Sequence, residues 1–531
     1  LPAQAGVFLD GDGPVPLTLA CPGAAAVTNL AEHLPSSLPA LLRPGGRVLV
    51  LDAGGGLDVL GAVASGAGEV LASARSPEIG SLLLGAYRGP TCELAALPSV
   101  HWLQDPPRVA LAQIAPGSVD VVLVSLSDPY RPVTAGAYSL HEDFLWTTEG
   151  LRAALRALKP NGILALNRWL STPPAEEARA LSMLLEAVGK GEAPEDHLLA
   201  YRGLRTATIM FSPAGWSELD RASAAAFLER NAFDPILFPG MAASEFNQFN
   251  RLPRDEYRQL FEALLRDPET VVGRYAYDLR PATDDRPFFF HFFRWQQLPD
   301  TLAGLGLTWQ PFGGSGYLVL LGLLGCVGLL ATLLTASPAL SPQARRAPLR
   351  RHWAVYFGLI GGGFMLVEVA LIQRLTLILV QPAVAVGVVV ATLLLASGVG
   401  SALADRLPLR GSLGLLVLGL AVLAIALGPV LASLLRLASP FRQGLAALML
   451  VPVGLLMGVP FSGGLIRLTG PAGGHIAWAW AINGAASGVA GVLAAVVSLE
   501  AGLAPTILLG AAAYGLASWV VPIAASRAAP P

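Results

Sequence analysis

The feature that most constrains this chain is a change of solvent partway along it. Before about residue 315 the apolar runs are short and broken by Asp, Glu, Arg and Pro; after it they follow one another almost without interruption. Seven runs, roughly 317–336, 354–379, 383–403, 412–435, 444–465, 476–499 and 505–523, come near the ~20 residues that cross a bilayer. Buried core helices of a large soluble protein are the alternative. A soluble domain carries about 25% charged residues, whereas here 14% of 531 residues are charged and 53% are hydrophobic. An all-α transmembrane bundle of about seven helices is therefore expected over 316–531.

Arginine placement gives the bundle a direction, because cytoplasmic loops retain basic residues. The first inter-helix loop holds Arg345, Arg346, Arg350 and Arg351, the third Arg406 and Arg410, the fifth Arg467, and the tail Arg527. The fourth holds Arg436 and Arg442. The odd loops read as cytoplasmic, so the residues before the first span are expected on the outer face. The chain begins at Leu1 rather than Met, and a further signal or membrane segment is expected upstream.

The first half alternates strand-length and helix-length runs. "GRVLVLD" (46–52), "EVLASA" (69–74), "VHWLQD" (100–105), "VDVVLVSLSDP" (119–129) and "ILALNRW" (163–169) read as strands. Helices are expected at 58–66, 77–87 and 148–162, the last stopped by Pro160-Asn161-Gly162. This order predicts an α/β domain with a parallel sheet and helices on both faces, with ligands beyond the carboxyl ends of the strands. The segment 6–20 reads as a hairpin turning at Asp10–Gly13. The expected divisions are a lead-in at 1–40, the α/β domain at 41–200, an irregular extension at 201–315, and the bundle.

Several functions are set aside by composition. A net charge of −2 gives no footing for nucleic acid. Three cysteines without a CxxC pair and seven histidines without HxxxH spacing predict no metal site. On an outer face Cys21 and Cys92 could pair, but the expectation is two free buried thiols. In the segment "PATDDRPFFFHFFRW" (281–295), Asp284, Asp285 and His291 are candidates for a substrate or partner site. The plainer reading is a packed link to the membrane surface, with Phe buried at the bilayer interface.

Taken together, "RVLVLDAGGGLDVL", "VDVVLVSLSDPYRP", "YSLHEDFLWTTEGLRAALRALKPNGILALNRW", "PATDDRPFFFHFFRW", "GFMLVEVALIQRLTLILVQPAVAV" and "AWAWAINGAASGVAGVLA" make the chain resemble the membrane-integral spermidine-synthase-like proteins. The resemblance implies a Rossmann-like domain of the spermidine synthase/methyltransferase kind. It also implies S-adenosylmethionine or its decarboxylated form as the candidate cofactor, and aminopropyl or methyl transfer as the candidate reaction.

Residue by residue, the resemblance is uneven. Gly54, Gly55, Gly56 and Asp58 match the family's glycine turn and acid, and Asp105 falls where an acid meets the adenine edge. The ribose-gripping acids are replaced by Ala74 and Ser76; losing one charge-assisted hydrogen bond costs roughly 1.5–3 kcal/mol. In the catalytic loop "SLSDP" Ser125 stands where the family has its proton-accepting aspartate, and a serine hydroxyl is a poor base at neutral pH. Asp128 matches the loop's second acid. Tyr138, His141, Glu142 and Asp143 follow as other candidate bases. These losses favour a degenerate, non-catalytic domain: a scaffold or partner-binding subunit of a membrane complex in a bacterial inner membrane, with the domain on the periplasmic face. The expected partners are the lipid bilayer and other subunits of that complex. A working transferase acting on a polyamine or a membrane-proximal acceptor is the alternative.

Within the spans, Glu368 is a buried-carboxylate candidate, with Gln373 and Arg374 following it. It is the basis of a further alternative, a transporter with a regulatory soluble domain. Gly484 and Gly488 have the spacing of a close helix crossing, with Asn483 beside them as an interhelical hydrogen-bonding group. Pro452 and Pro460 predict a bent fifth helix.

Overall fold

The structure is a computed structural model. It describes residues 3–8, 14–21, 23–128, 140–189, 194–303, 316–346, 349–468 and 474–521. The chain divides into two units. The first comprises Leu1–Thr283 and Pro287–Trp309; the second comprises Asp284–Arg286 and Gln310–Pro531.

The first unit is built on an eight-stranded sheet. Its strands are β3 (Arg47–Leu51), β4 (Glu69–Ser73), β5 (Val100–Leu103), β6 (Val119–Val124), β7 (Leu158–Trp169), β8 (Leu198–Arg202), β9 (Thr206–Phe211) and β10 (Asp234–Leu237), in the order β10-β8-β9-β7-β6-β3-β4-β5. Strands β3 to β7 pair in parallel, and β8, β9 and β10 add antiparallel. The apolar runs are continuous because both faces are covered. Leu49, Leu51, Val122, Val124, Leu164 and Leu166 enter one core, while Val48, Val50, Val121, Leu123, Ile163 and Ala165 enter the other. Helices Thr148–Ala157, Glu176–Val188 and Glu256–Arg266 pack on the first face. Helices Leu57–Ala64 and Glu218–Asn231 pack on the second.

Two features differ from the sequence reading. The helix expected over 148–162 ends at Ala157, and β7 begins at Leu158. Leu158 pairs with Val119, and the register then jumps so that Ile163 pairs with Val121. Pro160-Asn161-Gly162 is thus part of an irregularity in the strand; a Cβ on Gly162 would stand 3.1 Å from the Asp120 carbonyl. Nor does the sheet stop at residue 200. The run 198–211 folds back around Gly203 as an antiparallel hairpin, and β10 extends it.

Ahead of the sheet, β1 (Ala3–Val7) and β2 (Val15–Leu19) form the expected antiparallel hairpin, while its turn at Asp10–Gly13 lies outside the described residues. Strand β2 touches the sheet's first glycine turn through a single bridge, Leu17–Gly55. Cys21 and Cys92 are joined in a disulfide, with Cα atoms 4.9 Å apart. The expectation of two buried thiols is therefore corrected: Cys21 is exposed, and 71 residues of intervening chain hid the proximity.

The aromatic segment is packed, as the plainer reading expects. Phe288, Phe289, Phe290 and Phe292 are buried in the protein rather than set for a bilayer interface. The buried Arg179 holds the segment by donating to the carbonyls of Phe289 (2.6 Å) and His291 (2.8 Å) and lies 4.3 Å from the Phe292 ring centroid.

Among the described residues the second unit has seven helices long and apolar enough to cross a membrane: Gly316–Leu340, Arg351–Leu379, Pro382–Ala402, Leu409–Leu434, Ser439–Leu468, His475–Ala501 and Leu503–Val520. Arg442, read above as a loop residue, is buried inside the fifth. That helix runs through both Pro452 and Pro460. The close crossing is not at Gly484 and Gly488. Nothing stands within 4 Å of a Cβ placed on Gly484, and the nearest atom to one on Gly488 is 3.9 Å away. It lies between the third and fifth helices, where a Cβ on Gly400 would fall 1.9 Å from the Leu455 carbonyl oxygen and one on Gly458 1.9 Å from that of Ser397. Only glycine permits that approach.

Candidate functional site

The carboxyl ends of β3, β6 and β7 open on a cavity of about 620 Å³. The glycine turn after β3 forms its floor. Gly54 and Gly56 have φ of +50° and +89°, a region glycine enters without penalty. Gly55 serves a different need: a Cβ there would lie 2.0 Å from the Pro16 carbonyl oxygen, so glycine lets β2 cross over the turn. Hairpin residues Gln4, Ala5, Gly6 and Val15 form one wall. Ser125, Ser127 and Asp128 after β6, with Asn167 and Trp169 on β7, form the opposite wall.

The predicted residues Gly54, Gly55, Asp58, Ser125 and Asp128 all line this cavity; Gly56 and Asp105 do not. Gly56 is the N-cap of the 57–64 helix. The Asp105 carboxylate accepts from Gln113 Nε2 at 2.9 Å, and its carbonyl accepts from the Ser73 hydroxyl at 2.7 Å.

Asp58 and Asp128 are the carboxylates of the lining, and they differ. Asp58 accepts a hydrogen bond from the Ser36 hydroxyl at 2.6 Å. Burial pushes its carboxyl above the usual range, against the opposing pull of the Ser125 and Ser36 hydroxyls. Asp128 is gripped by both Arg168 nitrogens, at 3.0 and 2.8 Å. Burial alone would raise Asp128, but the Arg168 charge and its hydrogen bonds outweigh burial and hold it below the ordinary carboxylate range. Arg168 is 1% exposed, also pairs with Glu176, and lies 4.9 Å from the Trp146 ring centroid. A carboxylate fixed by a bidentate arginine is a poor proton acceptor.

After β4, Ala74 is buried and the Ser76 hydroxyl bonds Glu78 at the start of the 77–84 helix. Arg75 between them pairs with Asp52 at 2.7 Å and with Asp143 at 3.1 Å. Asp143, one of the alternative bases, also accepts from the Leu145 and Trp146 amides at 3.1 and 3.3 Å. His141 and Glu142 do not line the cavity, and Tyr138 lies outside the described residues. Arg75, Arg168 and Asn167 were missed as site-shaping residues. "SARSP" and "ILALNRW" contain them, but nothing local reveals their partners. Asn167 accepts from Thr208 Oγ1 at 2.8 Å and donates to the Val124 carbonyl at 3.2 Å, locking two strand ends together.

Among the described residues the lining contains no Lys, Arg or His. Among those residues no cluster of metal-ligating side chains is found.

His291 is buried in the first unit, whereas Asp284 and Asp285 belong to the second. There Arg374 donates to the Asp284 carbonyl at 2.6 Å and to the Asp285 carboxylate at 2.9 Å. Asp285 also accepts from the Ala504 amide at 2.9 Å, capping the last helix, and its carbonyl accepts from Leu503 at 2.8 Å. Glu368 is buried, and Arg374 on its own helix is committed to Asp285. Asn483 donates to the Phe357 carbonyl at 3.0 Å across the 351–379 and 474–501 helices. Its side chain fills the space where a Cβ on Gly361 would fall, 2.6 Å away.

No family model matches the chain, and no curated protein matches it. Among solved structures it is similar to spermidine synthase from Thermotoga maritima, at 12% identity over 49% of this chain and 83% of that one, with a TM-score of 0.29. It is also similar to a probable spermidine synthase from Corynebacterium glutamicum, at 17% identity over 41% of this chain and 76% of that one, with a TM-score of 0.29.

Proposed function

We propose that this chain is a scaffold or partner-holding subunit of a membrane complex, whose α/β domain keeps a nucleotide-type cavity but has lost the transfer chemistry. The observation that carries the reading is the state of Asp128. The acid that survives in the catalytic loop is held by a buried arginine, and the position of the proton acceptor is Ser125. Arg75, tied to Asp52 and Asp143, stands in the stretch where two ribose-gripping acids would be. We place the protein in a bacterial inner membrane with the domain on the periplasmic face. The arginine bias supports that side, and so does the Cys21–Cys92 disulfide, a bond that persists in oxidising compartments.

Calorimetric titration of the full chain in detergent with S-adenosylmethionine, its decarboxylated form and methylthioadenosine tests the loss of chemistry. No heat at millimolar ligand is expected; saturable binding with turnover of a polyamine would overturn it. Purification in mild detergent tests the scaffold role, and a monodisperse, partner-free monomer would count against it.

One observation favours a second reading. Asp58 lines the cavity with its carboxyl raised by burial, and a raised carboxyl is the better general base near neutral pH. A transferase acting through Asp58 would lose its activity in Asp58→Asn.

A further inference from the structure

We propose that the Cys21–Cys92 disulfide is a thiol-exchange site that latches the hairpin wall of the cavity, so that reduction by an external dithiol opens the cavity. Main-chain pairing ties the hairpin to the rest of the fold at one point among the described residues. Among the described residues β1 and β2 form a two-stranded sheet of their own, and their ladder contact with the main sheet is the Leu17–Gly55 bridge. The associated bond, from the Thr18 amide to the Gly55 carbonyl, is long at 3.4 Å. A two-stranded hairpin is marginal alone in water.

What remains is a small apolar cluster and the disulfide. Leu17 packs with Ala74, Ile79, Leu83 and Ala95, and Ala5, Val7, Val15 and Leu19 of the hairpin pack against the same cluster. Cys21 follows β2 by two residues, and Cys92 lies in the segment after the 77–84 helix, just before Leu94 and Ala95. The bond therefore ties the exit of β2 to the side of the cluster on which Leu17 rests. Because Ala5, Gly6 and Val15 line the cavity, release of the hairpin removes a wall.

The chemistry needs access, and Cys21 is exposed. One thiolate of the donor attacks Cys21 Sγ, the Sγ–Sγ bond breaks, and Cys92 leaves as a thiolate that takes up a proton. The donor's second thiol then resolves the mixed disulfide and frees Cys21, so the donor ends as a disulfide and the chain as two thiols. The latch operates whether the domain is a scaffold or an enzyme.

Hydrogen exchange on the full chain in detergent, with and without a phosphine reductant followed by alkylation, tests the proposal. Without reductant, alkylation should find Cys326 as the free thiol; finding all three cysteines modified would overturn it. On reduction, protection of the Val15, Leu17, Thr18 and Leu19 amides and of the 54–57 turn should be lost. Protection in β6 and β7 should stay. Unchanged exchange at 15–19 would overturn the latch. Loss of protection throughout the sheet would overturn it as well, because the bond would then be a general staple. Cys21→Ser/Cys92→Ser should exchange fast at the hairpin with or without reductant; if it does not fold, the alkylated native chain still decides.

Discussion

Replacing Arg168 with Met should destabilise the α/β unit by about 4 kcal/mol. The side chain is 1% exposed and bonds Asp128 at 3.0 and 2.8 Å and Glu176 at 2.9 Å. Its removal takes the bonded arginine from two buried acids, and breaking a buried pair costs roughly 3–5 kcal/mol. The aromatic faces around the guanidinium, Trp146 at 4.9 Å and Phe289 and Phe290 at 5.3 Å, add about 1 kcal/mol. Met refills much of the volume, which offsets part of that. Against a total of roughly 5–15 kcal/mol, such a loss is large. Asp128→Asn should cost less, about 1–3 kcal/mol, because Glu176 still balances the arginine. The double variant should fall short of the sum by more than about 0.5 kcal/mol. Asp128 has a depressed folded pKa, so its contribution is present above the unfolded value and is lost as pH falls through the folded one. The Arg168→Met penalty should therefore shrink as pH falls toward the depressed folded value of Asp128. Pulse proteolysis of the full chain in urea reads the soluble unit while the micelle shields the helices. A penalty under about 1 kcal/mol, or strict additivity with Asp128→Asn, would refute the reasoning.

Gly55→Ala should displace β2, since its Cβ would meet the Pro16 carbonyl at 2.0 Å; a loss of about 1–3 kcal/mol and faster exchange at 15–19 are expected. Asp285→Ala should take one of two acceptors from Arg374, which keeps the Asp284 carbonyl, and uncap the last helix, costing about 1–3 kcal/mol in detergent unfolding of the bundle. Asp285→Asn, which keeps an acceptor for Ala504, should fall between. Asn483→Ala should cost about 0.6–2 kcal/mol by the same assay. Asp58 has a raised folded pKa, so stability is lost as pH climbs from the unfolded value through the folded one. Asp58→Asn should therefore be no less stable than the native chain at neutral pH and should flatten its pH profile between those values.

The sequence by itself determined what depends on neighbours along the chain. Seven apolar runs set the helices, because a bilayer selects on length and hydropathy alone. The runs at β3 to β6 set the parallel core, because burial on both faces requires continuous apolar residues. Gly54 and Gly56 were legible as a turn, since positive φ is a property of the residue itself. The antiparallel end of the sheet was not read: β8 and β9 straddle the boundary placed at residue 200, and β10 falls in the stretch read as irregular.

Only the tertiary structure decided which charges are spent. Arg168 and Asp128 are 40 residues apart, Arg75 and Asp52 are 23 apart, Arg374 and Asp285 are 89 apart, and Cys21 and Cys92 are 71 apart. No periodicity encodes such pairs; they form where strand ends and helix ends converge after folding. That is why Asp128 reads as a retained catalytic acid in the sequence and as the counter-ion of a buried arginine in the fold. The same holds for Gly55, whose glycine is required by a strand that reaches it from nearly 40 residues upstream.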